Sequence, residues 1–170
     1  MADWLLVRAA TPADAGALAS LGQAVGAEEE GWLITDGNWR SAAQERRYLK
    51  SIRRYPHAEV FVAETAEGIV GRLSVARDSH PASHHVADLG LMVAEGMRRR
   101  GVGTALIEEA AKWARAAGVR KLELHVFPHN EPAIALYEAF GFEREGYRRR
   151  HYQRSSGYVD AILMAYEVGE

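Results

Sequence analysis

The sequence predicts one mixed α/β domain, with a twisted, mostly antiparallel sheet of about seven strands and four flanking helices. Three observations predict it. Seven runs carry the alternation or β-rich composition of strands and four carry helical periodicity, in the order β, α, α, β, β, β, α, β, α, β, β. The segment from His84 to Phe127 reads strand, helix, strand, which places one parallel pair around a right-handed crossover while short turns join most other neighbours. Finally, 170 residues with 48% hydrophobic content can bury one substantial core, and no repeat, low-complexity tract or linker divides the chain.

Each element has its own justification. Asp3 to Ala10 is a short apolar strand, and Thr11 then Pro12 read as the N-cap and first turn of a helix through "TPADAGALASLGQAV". Glycine, acidic and aromatic residues interrupt helical periodicity between Ala27 and Trp39, and "SAAQERRYLKSIRRYP" resumes it until Pro56. "AEVFVAET" and "GIVGRLSVAR", separated by the Glu67-Gly68 turn, and "HHVADLGLMV" form a three-stranded meander. "VRKLELHVF" alternates, with Leu122, Leu124 and Val126 on one face. In "NEPAIALYEAFGF", Asn130 caps a helix, Pro132 sits in its first turn and Gly141 ends it. "FEREGYRRRHYQ" and "YVDAILMAYEV" close the chain as a hairpin through Ser155-Ser156-Gly157.

Composition removes several functions. Lys and Arg number 21 against 23 Asp and Glu, a formal charge of −2, so the chain lacks the basic excess of a nucleic-acid binder. It has no cysteine, which removes disulfides, thiolate metal sites and cysteine nucleophiles. The opening "MADWLLVRAA" has neither a cationic leader nor a long apolar run, and a cytoplasmic protein with no membrane partner is expected.

The strongest chemical signal is "MRRRGVGTALIEEAAKWARAAG", three arginines and a Gly-x-Gly turn at the start of a helix. A nucleic-acid phosphate, a nucleotide phosphate or a solvated charge run would each use such a stretch. Free N–H groups at a helix start bind anions, glycine permits close approach, and arginine adds countercharge. The Walker pattern is absent, and the third glycine of the dinucleotide fingerprint would fall at Leu106.

The same stretch resembles motif A of the GNAT acetyltransferases, an Arg/Gln-x-x-Gly-x-Gly/Ala signature represented by Arg98, Gly101 and Gly103. "NEPAIALYEAFGFEREG" is similar to the family's second motif, and the ending "RRRHYQRSSGYVDAILMAYEV" resembles bacterial members that acetylate amino acids or similar small amines. The resemblance covers essentially the whole chain and implies acetyl-CoA as the acetyl donor, with no metal. It implies that Arg98, Arg99, Arg100, Gly101, Val102, Gly103 and Thr104 hold the diphosphate. Backbone N–H groups near Met92 and Val93 would face the developing oxyanion, Asn130 the pantetheine arm or its loop, and Tyr137 the departing sulfur as proton donor.

Alternatives stay open beside it. Tyr137 also reads as a helix aromatic packing on the sheet. The proton acceptor is not identified; Asp88 and Glu28-Glu29-Glu30 are candidates, and structural carboxylates are the competing reading. His80, His84 and His85 lack a fourth ligand at metal spacing and read as loop histidines. Arg148 to Arg150 read as surface charge or as contacts to an acidic group or the 3′-phosphate of CoA. The expected activity is direct transfer of acetyl to a primary amine of a small molecule in a ternary complex. Its rivals are a protein N-terminus or lysine as acceptor, and a noncatalytic acyl-CoA-binding module. The segment "EEEGWLITDGNW" is the expected wall of the acceptor pocket, and a homodimer is compatible with the sequence.

Overall fold

The computed structural model describes residues 3–169; Met1, Ala2 and Glu170, the ends of the predicted domain, lie outside the described residues. The strands are β1 (Leu6–Ala9), β2 (Ala58–Thr65), β3 (Gly68–Arg77), β4 (Val86–Val93), β5 (Lys121–Val126), β6 (Glu143–Arg154) and β7 (Gly157–Glu167). The α-helices are α1 (Ala15–Gly26), α2 (Ala42–Ile52), α3 (Val102–Ala117) and α4 (Glu131–Phe140). The strands form one sheet in the order β1-β2-β3-β4-β5-β7-β6, antiparallel throughout except for the β4–β5 pair.

Local chemistry sets the element ends. The Thr11 N–H donates to the Asp14 carboxylate at 2.7 Å, so the first helical stretch begins as a short 3₁₀ turn at Pro12 before α1. Ser41 and Gln44 cap α2 reciprocally, and Asn130 Oδ1 accepts the Ala133 N–H at 3.3 Å to start α4. Gly118 and Gly141, both left-handed, stop α3 and α4.

Strand alternation sends two sets of side chains to opposite sheet faces. Leu73, Val75, Ala87, Leu89, Leu122 and Leu124 pack against Leu106, Ile107 and Ala110 of α3 and Ile134 of α4. On the other face, Val60 and Val62 meet Leu18 of α1 and Leu49 of α2, while Met92 meets Leu21 and Val25. Leu106 and Ile107 are fully buried, and truncating either to Ala costs about 2–5 kcal/mol by lost contact and residual cavity.

One irregularity positions the site. β4 pairs with β5 only at Val86–Lys121, Ala87–Leu122 and Asp88–Glu123. Beyond Asp88, β4 keeps its β3 partner up to Val93, whereas its β5 side has no strand partner. The sheet therefore opens between Leu89–Val93 and Leu124–Val126, leaving backbone polar groups without ladder bonds at mid-sheet.

Candidate active site

Two cavities meet at this opening. The larger, about 580 Å³, lies between the end of β4, the start of α3 and the inner side of α4; the smaller, about 250 Å³, lies over the α1/α2 face of the sheet. They share Leu91, Met92, Asn130, Ala133 and Tyr137, with Trp32 and Leu33 above them, so the junction sits where β4 and β5 part.

At the start of α3, Gly101 is the N-cap in a left-handed conformation (φ 86°, ψ 1°), and a Cβ built there meets open space. The cap supplies no side-chain acceptor. The first intrahelical bond runs from the Ala105 N–H to the Gly101 carbonyl (3.0 Å), which leaves the N–H groups of Val102, Gly103 and Thr104 without a helical acceptor. Arg99, also at positive φ (59°), lines the cavity beside them. A diphosphate fits this cradle: free donors, the positive helix end, an arginine and no side chain at Gly101. Leu91, Pro132, Leu136 and Ala139 make the rest of the wall apolar, suited to a pantetheine arm.

The remaining predicted residues take several positions. Met92, Val93, Gly103 and Thr104 line the larger cavity. Gly103 is also a packing residue: a Cβ would stand 2.7 Å from Leu136 Cδ2, so the glycine permits close approach of α3 and α4. The Val102 side chain is buried in the α3 core and leaves only its backbone at the cradle. Arg100 turns away, its guanidinium 4.8 Å from the Trp4 ring.

Arg98 lines the cavity, but its guanidinium is engaged elsewhere. Nη1 and Nη2 each donate to Glu28 at 2.7 Å, and Nε donates to the Val93 carbonyl at 3.0 Å. Glu28 also accepts the Trp32 indole N–H at 2.8 Å. Arg98, then Trp32, hold the Glu28 carboxyl below the usual carboxylate range against a burial penalty, so Glu28 is a fixed anion that accepts three hydrogen bonds. This clamp joins the end of β4 to the segment after α1.

That segment roofs the smaller cavity with Trp32, Leu33, Ile34, Thr35 and Trp39. It is pinned from the far side as well. Arg154 donates to the Gly31 carbonyl at 2.9 Å and pairs with Asp36 at 3.2 Å, and the Ser155 N–H donates to Asp36 at 2.7 Å. His129 lies 3.0 Å from the Glu30 carbonyl and stacks on both Trp32 and Phe127.

Tyr137 packs as a helix aromatic and also reaches both cavities. Its ring is 6% exposed and packs 5.6 Å from Phe142, yet it lines both cavities. Burial raises the phenol above its ordinary pKa, so it stays protonated at neutral pH.

His125 and Tyr152, absent from the sequence candidates, line the smaller cavity with His125 Nδ1 2.8 Å from the Tyr152 hydroxyl. Burial first, then Arg148 and His151, push the His125 pKa down, leaving a neutral ring at pH 7 that can accept a proton. The only sequence trace was its place in β5: it alternates with Leu124 and Val126 and so points to the opposite face. Asp88 lines neither cavity; desolvation and its pairing with Glu123 push its carboxyl up to about 6 although it keeps solvent contact. Among the described residues no group of three or more His, Cys, Asp or Glu side chains is placed to hold a metal; His80 instead accepts the Ala82 N–H at 3.1 Å.

An anion cradle at a helix start, an apolar groove and a gap in the sheet leading to a second chamber define an acyl-transfer site. The chain belongs to the GNAT acetyltransferase family, whose family model matches residues 27–142, and it is an N-acetyltransferase. It is 34% identical over 135 residues to the L-amino acid N-acetyltransferase AaaT of Escherichia coli K12, covering 77% of this chain and 76% of that one. It is 33% identical over 162 residues to the N-alpha-acetyltransferase RimI of Mycobacterium tuberculosis, covering 94% and 95%. A GNAT acetyltransferase of Streptococcus pneumoniae superposes with a TM-score of 0.86 at 28% identity, covering 97% of this chain and 99% of that one. An acetyltransferase of Salmonella typhimurium, solved with acetyl-CoA, shares the fold with a TM-score of 0.84 at 18% identity over 99% and 96% of the two chains. No helix among the described residues is long and apolar enough to cross a membrane.

Proposed function

We propose that this chain transfers the acetyl group of acetyl-CoA directly to the primary amine of a small molecule while both are bound. The observation that carries this is the pair of joined cavities: a long apolar groove ending in an anion cradle, and a roofed 250 Å³ chamber meeting it at Tyr137. The chamber is walled by a segment tied down at Glu28, Gly31 and Asp36, which suits a compact acceptor better than an extended peptide.

Each job in the reaction has a group at hand. Free N–H groups at the start of α3, with Arg99, hold the diphosphate, and Asn130 borders the pantetheine arm. The N–H of Val93, which faces the gap left by β5 while that of Met92 bonds back to β3, steadies the charge that builds on the carbonyl oxygen. Tyr137 donates its phenolic proton to the leaving sulfur. His125, neutral and bonded to Tyr152, takes the proton released by the amine, directly or through a water.

The test is CoA release from acetyl-CoA with amino acids, polyamines, aminoglycosides and short peptides as acceptors. Turnover restricted to small amines supports the reading. Acetylation of peptides alone identifies a protein acetyltransferase, and no turnover on any of these acceptors overturns the small-amine reading.

A further inference from the structure

The last hairpin breaks its register beside the smaller cavity. Arg148 stands opposite Ala161 and Tyr152 opposite Val159, so Arg149, Arg150 and His151 of β6 face the single residue Asp160 of β7. A bulge of this kind bends its strand and re-aims the side chains beyond it. Counting shows the effect. In unbroken register Arg150 would stand opposite Val159, and with the bulge Tyr152 takes that place.

Asp160 holds the bulge in shape. Its Oδ1 accepts the Arg150 N–H at 2.6 Å and its Oδ2 accepts the Tyr147 hydroxyl at 2.6 Å, which ties the strand before the bulge to the middle of it. Tyr147, then the Arg150 N–H, keep the Asp160 carboxyl below the usual carboxylate range, so it is an anion at neutral pH. Arg150 itself sits at φ 53°, a left-handed conformation that a residue with a side chain keeps only where its surroundings hold it. Asp160 lines neither cavity, so these bonds serve the shape of β6 and not a ligand.

The bulge builds one side of the surroundings of His125. His125 stands opposite Leu163 in the β5–β7 pair, and alternation puts Val159, Ala161 and Leu163 on one face of β7, so Tyr152 and His125 share that face. Besides the 2.8 Å contact of the Tyr152 hydroxyl with Nδ1, the His151 ring centre lies 5.2 Å from that of His125 and 4.7 Å from that of Tyr152. We propose that Asp160 is a positioning residue for the acetyl transfer: it holds the β6 bulge, which seats Tyr152 and His151 against His125 and fixes the imidazole that takes the proton of the amine. This rests on the role given to His125 above and adds the element that orients it.

The other charged and titratable groups around His125 come from elsewhere. Arg148 precedes the bulge on β6, Glu123 lies on β5 beside Asp88 of β4, Tyr137 comes from α4, and Arg40 and Arg72 stand across the smaller cavity. Asp160 bonds to none of them, so a change at Asp160 reaches His125 through the bulge.

The experiment records kcat/KM against pH, corrected for the neutral fraction of the amine, on whichever acceptor is turned over best. Asp160→Ala should lower it about tenfold to a hundredfold, the range for a misplaced reacting group. It should also move the acid limb up towards the ordinary imidazole value of about 6.5, because a loosened β6 admits water to His125 and draws Arg148 and His151 away. Asp160→Asn keeps an acceptor for the Arg150 N–H and a polar partner for Tyr147, and should stay close to wild type. In a His125→Gln background Asp160→Ala should add less than about a twofold loss. Acetyl-CoA affinity by calorimetry should be unchanged, since the cradle lies at the start of α3; Tyr147→Phe, which should shift the limb the same way, serves where Asp160→Ala does not fold. An acid limb left in place by the variant that folds, or a full loss that persists without His125, overturns the positioning role. A limb that survives His125→Gln overturns the assignment of His125 and the positioning role with it, while leaving the choice of acceptor untouched.

Discussion

Replacing Arg98 with Ala tests whether that side chain is a clamp or a diphosphate ligand. The change removes two 2.7 Å bonds to Glu28 and one 3.0 Å bond to the Val93 carbonyl. Hydrogen bonds to charged groups contribute about 1.5–3 kcal/mol each, but the Arg98 side chain is 30% exposed against 11% for Glu28, so solvent screening reduces the sum. A net loss of about 2–3 kcal/mol is expected, or roughly 4–12 °C in Tm for a domain of this size. The pH dependence has a definite sign. Because the Glu28 carboxyl is held below its usual range, its stabilisation is fully present above the unfolded value of about 4.3 and is lost as pH falls through the folded pKa. The Tm gap between wild type and variant should therefore be constant above about pH 5 and shrink below about pH 4. Differential scanning calorimetry across that range reads both features. A Tm change under about 1 °C at pH 7, joined to a large loss of acetyl-CoA affinity, would refute the clamp and return Arg98 to the diphosphate.

Three further outcomes follow from the same geometry. Tyr137→Phe should leave acetyl-CoA affinity nearly unchanged and lower turnover about a hundredfold, since it removes one hydroxyl from a packed ring; an unchanged rate in steady-state kinetics, with viscosity showing that product release is not limiting, rejects the proton-donor role. Gly101→Val should weaken acetyl-CoA binding more than Arg99→Ala, because a left-handed position (φ 86°) costs a side chain about 1–2 kcal/mol and the new side chain would stand in the cradle, against about 0.2–1 kcal/mol for a surface charge; calorimetry giving the opposite order counts against the cradle. In pH profiles of kcat/KM, His125→Gln should abolish an acid limb lying below the ordinary imidazole value of about 6.5, with a loss of about a hundredfold at neutral pH; a limb that survives the substitution assigns the proton to another group.

Element order, helix caps and the glycine turn at the start of α3 were legible because each depends on residues close in sequence. The stop at Gly141, the Asn130 cap and the turn at Gly101 are local backbone requirements, and alternation in β5 is a local count. By itself the sequence determined a mixed α/β fold, a Gly-x-Gly turn at the start of a helix and a family resemblance resting on the same neighbouring residues. Tertiary structure decided which charges face which. Arg98 meets Glu28 across 70 positions, the roof is held by Arg154 from the last hairpin, and His125 finds Tyr152 on a strand that lies two places away in the sheet. Three consecutive arginines look equivalent in a string, yet one is a clamp, one lines the cradle and one rests on Trp4. A side chain's charge is written in the sequence, but its partner depends on distances set by the packed sheet, and electrostatic energy falls with separation in space, not along the chain.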